Sequence, residues 1–488
     1  MLLQPLLRNA QSEPDKVSVI DDLGSYTNQR VMQTAFALGA LLKAKTSKPT
    51  VGILLPSGAG FIASFYGTLL AGKVPVPINF LLGPREIGHI IADSGIDTIL
   101  TLSLMGDRLK GLPAQLIDLM EFAKAPPTSV PSYSPPSYNA GDLATILYTS
   151  GTSGLPKGVV LTHGNMSSDV NSAIEHAHLQ GDHTFLGLAP LFHSTGMLAT
   201  MLAPVTLGAK VVFTARFSPV GTIKAIREHA ISVMVGVPSM YGAMARLKDA
   251  GPDDFKTMFA AISGGEPLPS KVREAFHQKF NAHLYEGYGL TETIGPVCFN
   301  VPGKHRPGSV GQVIPHAGVR IVDEHDQPLP PDETGEVQMK GPMIFQGYHN
   351  LPDETAKAIT PDGYFRSGDL GHIDNDGFVF ITGRKKDLII VSGEKVYPRE
   401  IEELLSQDPT IADVAVIGRK DESRGEAVVA FIVPKEGQIV TLDTVRNFCR
   451  DKGVVNWKIP KDVIVAKELP RSPTGKVLKR ELVAQLSA

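Results

Sequence analysis

Short hydrophobic segments alternate with amphipathic segments between about residues 50 and 300. The segments TVGILL, DTILTL, ATILYT, KVVFT and SVMVGV are apolar and rich in β-branched residues, which predicts buried strands. The neighbouring segments GTIKAIREHA and SKVREAFHQKF are typical of amphipathic helices. This order of strands and helices predicts a largely parallel α/β sheet.

The pattern changes after about residue 305. The segments GVRIVDEHDQPLPPDETGEVQMKG and HIDNDGFVFITG predict antiparallel strands joined by turns. From about residue 387, strands and helices alternate again in a smaller α+β unit of about a hundred residues, a usual domain size. We therefore predict an N-terminal domain at 1–385, rich in β-strands from about 305 to 385, and a C-terminal domain at 386–488.

The segment at 51–72 has no charged residue over a length that could span a membrane. Pro56, Gly58 and Gly60 interrupt it, so we predict a buried strand, a turn and a helix instead of a transmembrane helix. The N-terminus lacks the basic region and the cleavage site of a signal peptide.

Composition and charge narrow the class of protein. The chain has 488 residues, which predicts two or more domains, and its 42% hydrophobic content is that of a globular enzyme. A net charge of −3 gives no broad cationic surface, so we expect no nucleic-acid partner. The two cysteines, Cys298 and Cys449, lie too far apart for a zinc motif and suit a reducing cytoplasm. We expect a monomer or homodimer and leave peripheral membrane contact open.

A loop rich in glycine and hydroxyl residues, YTSGTSGLPKG, occupies residues 148–158. It departs from the Walker A loop, because Pro156 stands where the second glycine belongs and Gly158 where a Ser or Thr belongs. Its glycines still allow main-chain N–H groups to approach phosphate oxygens, and Lys157 adds charge. We predict a phosphate-binding loop after a buried strand. The candidate contacts are Thr149, Ser150, Gly151, Thr152, Ser153, Gly154 and Lys157.

Five further motifs follow in order: SGGEPLP, YEGYGLTET, YFRSGDLG, GRKKDLIIVSGEKVYPREIE and LPRSPTGKVLKRELV. With the loop, they resemble the adenylate-forming family of acyl-CoA synthetases, peptide-synthetase adenylation domains and beetle luciferases. The resemblance runs over nearly the whole chain. It implies an enzyme that uses ATP and Mg²⁺ to join a carboxylic acid to AMP, releases pyrophosphate, and transfers the acyl group to a thiol such as coenzyme A.

The resemblance also implies roles for single residues. Glu292 would hold Mg²⁺, and Thr291 would contact the α-phosphate. Tyr288 would stack on adenine, with Glu286 near the adenine amino group. The other residues implied for the nucleotide are Gly264, Gly265, Glu266, Pro267 and Gly287, together with Asp369 for the ribose hydroxyls, Arg384 for the ribose or phosphates, and Ile381.

A lysine of the C-terminal domain completes the implied active site. Lys476 would reach the acid and the α-phosphate during adenylation and stabilise negative charge on phosphorus. The C-terminal domain would then rotate about a hinge at Lys386, which would bring Ser392 and Gly393 to the path of the CoA thiol.

The acyl pocket is expected around the segments HSTGMLATML, VGVPSMYGAM and YGLTETIG, which contain no Lys or Arg. A neutral, mostly apolar acid is therefore expected, of the medium- or long-chain fatty type. By resemblance, His193 would gate the carboxylate. The expected pocket residues are His193, Gly196, Val235, Gly236, Met240 and Gly289, with Ala199 among the small residues that leave room.

Three alternatives stay open. An acyl-AMP ligase would load an acyl carrier protein, but the stretch at 341–387 is compact and lacks the insertion that such ligases often carry, which favours CoA. An aromatic acid is a second alternative to a fatty acid. A non-catalytic adenylate- or acyl-binding protein is the third, although Lys476 and Glu292 are both present.

Overall fold

The computed structural model describes residues 1–124, 133–149, 155–214, 216–471 and 477–487. In these residues the helices are α1 Leu3–Ser12, α2 Asn28–Lys45, α3 Ala59–Leu70, α4 Pro84–Ser94, α5 Leu119–Lys124, α6 His163–Ala177, α7 Ser194–Met197, α8 Ala203–Leu207, α9 Pro219–His229, α10 Pro238–Ala245, α11 Ser270–Phe280, α12 Pro352–Ala358, α13 Pro398–Ser406, α14 Leu442–Asp451 and α15 Lys479–Ser487.

The strands of the same residues are β1 Val17–Asp21, β2 Gly24–Thr27, β3 Thr50–Leu54, β4 Val74–Pro77, β5 Thr98–Thr101, β6 Gln115–Asp118, β7 Leu143–Thr149, β8 Lys157–Thr162, β9 Thr184–Gly187, β10 Lys210–Phe213, β11 Val233–Gly236, β12 Ala260–Ser263, β13 Leu284–Gly289, β14 Pro296–Phe299, β15 Gln312–Val313, β16 Gly318–Val322, β17 Gly335–Lys340, β18 Gly347–Tyr348, β19 Phe365–Ile373, β20 Val379–Arg384, β21 Ile389–Val391, β22 Glu394–Val396, β23 Ile411–Asp421, β24 Gly425–Pro434 and β25 Asp462–Val465.

The chain forms two compact units. The first comprises Met1–Pro267, Ala275–Val319 and Met339–Phe365, and the second comprises Leu268–Glu274, Arg320–Gln338 and Arg366–Ala488. The region predicted to be rich in β-strands, at about 305–385, is thus divided between the two units. The predicted boundary and hinge at Lys386 concern movement and stay predictions.

The predicted strands and helices between residues 50 and 300 form, but in more than one sheet. The largest described sheet has the order β15-β14-β13-β12-β11-β9-β10-β1-β2, and its strands from β13 to β1 run parallel. The strands β4-β3-β5-β6 form a separate parallel sheet. The prediction of a domain of α/β sheets is confirmed. The hydrophobic segments did not indicate how the parallel strands divide between the two sheets, since they reveal burial and not the partner strand.

The strand before the phosphate-loop motif is antiparallel. β7 pairs with β8 from Leu143↔Thr162 to Thr149↔Lys157, and β18 adds to the other edge of β8. Thr149 and Lys157 are therefore cross-strand partners at the two ends of the loop motif. The motif follows a buried strand, as predicted, but that strand belongs to a hairpin.

The uncharged segment at 51–72 is a buried strand followed by a buried helix, as predicted. All residues of β3 are buried, and in α3 only Gly60 is exposed. Helices α2 and α3 pack closely at Gly67, where a Cβ atom would lie 2.8 Å from the carbonyl oxygen of Ala35. Within the described part of the chain, no helix is both long and apolar enough to span a membrane.

Two further sheets lie largely in the second unit. The order β16-β17-β19-β20 includes the predicted hairpin of β19 and β20, which turns at Asp374–Gly377. The C-terminal part has the sheet order β22-β21-β24-β23, with β25 parallel to β24. Its order of strands and helices matches the prediction, except that the short strand β22 was not expected.

Candidate active site

Three parallel strands of the first unit end side by side. Gly236 of β11 lies opposite Ser263 of β12, and Ser263 lies opposite Glu286 of β13. The motif residues that follow these positions, Gly264 after β12 and Tyr288 at the end of β13, therefore meet at one edge of the sheet. Ligands of open α/β sheets bind at this edge, outside the carboxyl ends of the strands.

The glycines predicted to contact the nucleotide lack a side chain for two different structural reasons. Gly265 has a φ of 80°, and Cβ atoms added at Gly264 and Gly265 would meet nothing closer than 3.8 Å and 4.0 Å, so space is open there for a flat ring. A Cβ at Gly287 would instead lie 2.9 Å from the Cβ of Phe299 on β14. Glu266 and Pro267 continue the chain from Gly265 to the end of this segment of the first unit.

A cavity of about 80 Å³ lies next to these glycines. Its lining is apolar apart from hydroxyl and backbone groups, and it is formed by Ala173, Leu179, Phe185, Ser194, Thr195, Leu198, Ala199, Ala203, Val233, Val235, Ile262, Gly264, Gly265, Gly287, Tyr288, Gly289, Leu290, Gly295, Pro296 and Phe299. The set includes residues predicted for the adenine and for the acyl group. The residues predicted for the adenine and those predicted for the acyl group therefore line the same cavity.

The predicted acyl-pocket residues divide into two groups. Val235 and Gly289 line the cavity, as does Ala199, whereas His193, Gly196, Gly236 and Met240 are outside its lining. A Cβ at Gly196 would collide with the carbonyl oxygen of Pro190, so this glycine allows close backbone packing. His193 immediately precedes α7. The lack of a side chain at Gly289 does not leave room for substrate, since a Cβ there would collide with the carbonyl of Gly295.

One wall of the cavity contains a π-helical turn. Helix α7, a π-helical segment at Leu198–Leu202 and helix α8 follow one another without a break. Cavity residues come from all three parts, for example Thr195, Leu198 and Ala203. π-Helical turns are rare and occur frequently at functional sites, because the extra residue widens the helix locally.

A strained turn carries Thr291 and Glu292. The hydroxyl of Thr293 donates to the carbonyl of Gly295 at 2.7 Å and accepts from the N–H of Leu290 at 3.0 Å. Ile294 follows with a φ of 60°, a value that is costly for a β-branched residue. Ile294 is fully buried, so packing holds the turn in this conformation.

Tyr348, a residue that the motifs do not indicate, contacts both Glu292 and Lys157. The Tyr348 hydroxyl donates to Oε1 of Glu292 at 2.7 Å. The Nζ of Lys157 lies 5.5 Å from the centre of the Tyr348 ring and pairs with Glu354 at 2.8 Å. Burial and the Glu292 carboxylate raise the pKa of Tyr348, which keeps its proton for this hydrogen bond. The pairing of β18 with β8 and the hydrogen bond from the N–H of Phe345 to the carbonyl of Glu292 bring these side chains together.

In the second unit, Asp369 and Arg384 form a cross-strand ion pair. They are register partners on β19 and β20, and Arg384 Nε lies 3.1 Å from Asp369 Oδ1. Asp369 is buried and Arg384 is half exposed. The carbonyl of Ile381 on β20 accepts a hydrogen bond from Arg399 at 2.6 Å.

The hinge and thiol-path residues also lie in the second unit. Lys386 is exposed within a short 3₁₀ turn, Lys385–Asp387. Ser392 and Gly393, with φ values of 52° and 88°, form the two-residue turn between β21 and β22, as type I′ hairpins require. Six of the predicted site residues lie outside the described residues: Ser150, Gly151, Thr152, Ser153, Gly154 and Lys476.

A buried carboxyl group on α6 was not predicted. Asp169 has no solvent exposure, and neither of its side-chain oxygens has a hydrogen-bond partner among the residues described. Burial raises its pKa well above the usual value for an aspartate. The surrounding sequence, NMSSDVNSA, is polar, so nothing in the pattern marks Asp169 as an interior residue.

Two family models match the chain. The model described as AMP-binding enzyme matches residues 6–349, and the model described as AMP-binding enzyme C-terminal domain matches residues 400–476. Among curated relatives, the long-chain-fatty-acid–CoA ligase of Bacillus subtilis (strain 168) is 30% identical over 99% of this chain and 94% of the relative. The feruloyl-CoA synthase of an Amycolatopsis species is 30% identical over 98% and 97%.

Solved structures resemble the whole chain. ATP-bound MatB from Rhodopseudomonas palustris has a TM-score of 0.92 at 26% identity, and the match covers 99% of both chains. The o-succinylbenzoate CoA synthetase MenE from Bacillus subtilis, in complex with its acyl-adenylate intermediate, has a TM-score of 0.89 at 27% identity, covering 98% of this chain and 97% of MenE.

The burial of Asp169 predicts a pH-dependent gain in stability for Asp169→Asn. Above about pH 4 an unfolded aspartate loses its proton, whereas the folded protein retains it until the raised pKa is reached. The free energy of unfolding of the wild type should therefore fall relative to the variant as pH rises, by up to about 1.4 kcal/mol per pH unit. Thermal melting between pH 5 and 8 measures the difference.

The matched control is Asp15→Asn, which changes an exposed aspartate. A difference between Asp169→Asn and the wild type that stays constant across this pH range would show that Asp169 is not held protonated in the folded protein.

Proposed function

The chain belongs to the AMP-binding enzyme family, and we propose that it activates an apolar carboxylic acid, of the medium- or long-chain fatty type, and transfers it to coenzyme A. The acid and ATP give acyl-AMP and pyrophosphate, and acyl-AMP and CoA then give acyl-CoA and AMP. ATP, Mg²⁺ and CoA are the co-substrates and cofactor of this chemistry.

The observation that carries the proposal is the cavity beside the nucleotide glycines. None of the described residues that line it carries a charge. A charged tail would lose its hydration there without a partner, whereas an apolar tail gains from burial. The name of the fatty-acid ligase relative supports the same substrate class. The name of the feruloyl-CoA synthase relative supports an aromatic acid equally well, so an aromatic acid is the second candidate.

Glu292 fits the role of magnesium residue. The described residues contain no cluster of three or more His, Cys, Asp or Glu that could hold a metal ion by themselves. Mg²⁺ usually binds through one or two carboxylates together with substrate phosphates, so a single carboxylate beside the triphosphate is sufficient. When bound, magnesium offsets the phosphate charge that opposes attack by a carboxylate.

The residues of the chain would position the reactants. Tyr348 fixes one oxygen of Glu292, and Thr291 stands beside Glu292 in the turn closed by Thr293. We assign the α-phosphate contact to Thr291 and the departing pyrophosphate to the loop that ends at Lys157. Lys157 would exchange its pairing with Glu354 for the phosphates, an exchange that costs little because the pair is partly exposed.

We further propose a cytoplasmic location. Both cysteines, Cys298 and Cys449, are buried and free, which a reducing compartment favours.

A panel of acids tests the proposed function. Pyrophosphate exchange and AMP release are measured with short-, medium- and long-chain fatty acids and with aromatic acids, with and without CoA. Exchange that requires an acid, followed by CoA-dependent release of AMP, is expected to be fastest with medium- or long-chain fatty acids. Aromatic acids reacting faster would select the second candidate. Acyl-AMP formation without transfer to CoA would indicate a carrier-protein acceptor, and no acid-dependent exchange would indicate a binding protein.

Lys476→Ala should separate the two half-reactions. Because the motif assigns Lys476 to the α-phosphate, adenylation should slow at least about a hundredfold, while thioester formation from preformed acyl-AMP is largely retained. Lys467→Ala, which removes the charge of an exposed lysine nine positions earlier in the sequence, is the control. Equal loss of both half-reactions would contradict the role assigned to Lys476.

Tyr348→Phe should weaken the response to magnesium. Without its hydrogen bond, Glu292 is less well oriented, and the Mg²⁺ concentration for half-maximal exchange should rise about tenfold. Tyr26→Phe on β2, remote in sequence from every motif, is the matched control. A slower reaction with an unchanged magnesium dependence would mean that Tyr348 does not act through the metal site.

A further inference from the structure

Asp169 lies directly behind the wall of the acyl cavity. Ala173, one helical turn further along α6, lines the cavity. The Oδ2 atom of Asp169 faces the Cα of Gly295, another lining residue, so closely that a Cβ at Gly295 would collide with it. The same Cβ would lie 2.7 Å from Cδ1 of Leu198, which also lines the cavity. At Gly295, therefore, this residue contributes only backbone atoms between the cavity and the carboxyl group of Asp169.

The carboxyl group has no structural partner that would explain its presence. Neither oxygen has a hydrogen-bond partner in the described part of the chain, and Asp169 has no solvent exposure. Buried polar groups in folded proteins are nearly always hydrogen-bonded, and an unsatisfied carboxyl group destabilises the fold. Its presence is explained if the partner is a ligand.

A second polar group accompanies it on the same helix. Ser172 is three residues from Asp169 and therefore on the same face of α6, next to the cavity residue Ala173. Its hydroxyl group is also buried and has no hydrogen-bond partner among the residues that the structure covers. Two unsatisfied polar groups thus lie on the helix that contributes Ala173 to the cavity, although neither of them is itself a lining residue.

We propose that Asp169 is a specificity residue, which selects an acyl group with a neutral hydrogen-bonding oxygen, a hydroxyl or a ketone, part-way along an otherwise apolar tail. The proposal rests on the proposed function and narrows its substrate. Asp169 does not itself line the cavity, and the methyl groups of Leu198 lie beside Gly295 between the cavity and the carboxyl group. The oxygen would reach Asp169 beside Gly295 when the Leu198 side chain changes rotamer.

The state of the carboxyl group favours a neutral partner. Burial raises the pKa of Asp169 and so favours the protonated form, which offers one O–H donor together with acceptor oxygens. A hydroxyl group can both donate a hydrogen bond to it and accept one from it, and a ketone oxygen can accept a hydrogen bond from its O–H. A cationic tail would need the ionised form of Asp169, which burial disfavours. A saturated tail would leave the carboxyl group unpaired in the complex.

Matched pairs of acids test the proposal on the purified full chain. Each saturated fatty acid is compared, by kcat/KM in pyrophosphate exchange, with acids of the same length that carry a hydroxyl or keto group at successive positions. At least one oxygenated acid should exceed its saturated partner by about tenfold or more, and the preferred position should be the same in different chain lengths.

Variants of Asp169 identify the group responsible. In Asp169→Leu the ratio of oxygenated to saturated kcat/KM should fall close to one, whereas Asp169→Asn, which keeps a donor and an acceptor, should retain part of the preference. Asp169→Ala replaces the leucine variant if the latter fails to fold, as judged by thermal melting. Thr222→Val is the matched control, because it removes another buried hydroxyl without a hydrogen-bond partner in the described residues, at a position outside the cavity lining.

The outcomes separate this proposal from the proposed function. If acids are activated but no oxygenated acid is preferred, or if Asp169→Leu keeps the preference, the role of Asp169 is refuted and the ligase function stands. If no acid is activated, the ligase function is refuted. Calorimetric binding of the same acid pairs to the wild type and to Asp169→Leu then decides the role of Asp169 independently.

Discussion

A backbone contact between two glycines is the constraint on which the candidate site of the first unit depends. Gly289, at the end of β13, lies so close to the carbonyl of Gly295 that no side chain fits between them. This contact closes the turn that carries Thr291 and Glu292, and the hydrogen bonds of Thr293 keep it closed. The residue proposed to stack on adenine, the carboxylate proposed for magnesium and one wall of the cavity consequently come from one short stretch of chain, 287–295.

The strained backbone conformation of Ile294 follows from the same contact between Gly289 and Gly295. A β-branched residue adopts a φ of 60° only where its surroundings over-determine the conformation, and Ile294 is fully buried. The turn is therefore held by packing on one side and by Thr293 on the other. Such rigidity orients a carboxylate before a ligand arrives, which reduces the free energy spent on ordering it during binding.

The sequence predicts well those features that depend on local pattern. Buried strands such as β3 and β11 are indicated by their hydrophobic segments, and the glycine motifs fall at strand ends, where ligands bind. Features that depend on pairing between distant segments are not indicated. The approach of Tyr348 to Glu292 and the burial of Asp169 both arise from tertiary packing, which no local pattern encodes. The roles implied for Lys476 and for the loop at 150–154 rest on the motifs alone.

The π-helical turn at Leu198–Leu202 has a consequence for how the substrate range of this fold can change. A π-turn is an α-helix with one residue inserted. Loss of one residue from this turn would restore regular α-helix and narrow the turn that carries Leu198, while the helices on either side keep their orientation. The part of the cavity wall that Leu198 forms would then change. Gain or loss of a single residue here could thus reshape the cavity, while the turn at 291–293, in another part of the chain, stays unchanged.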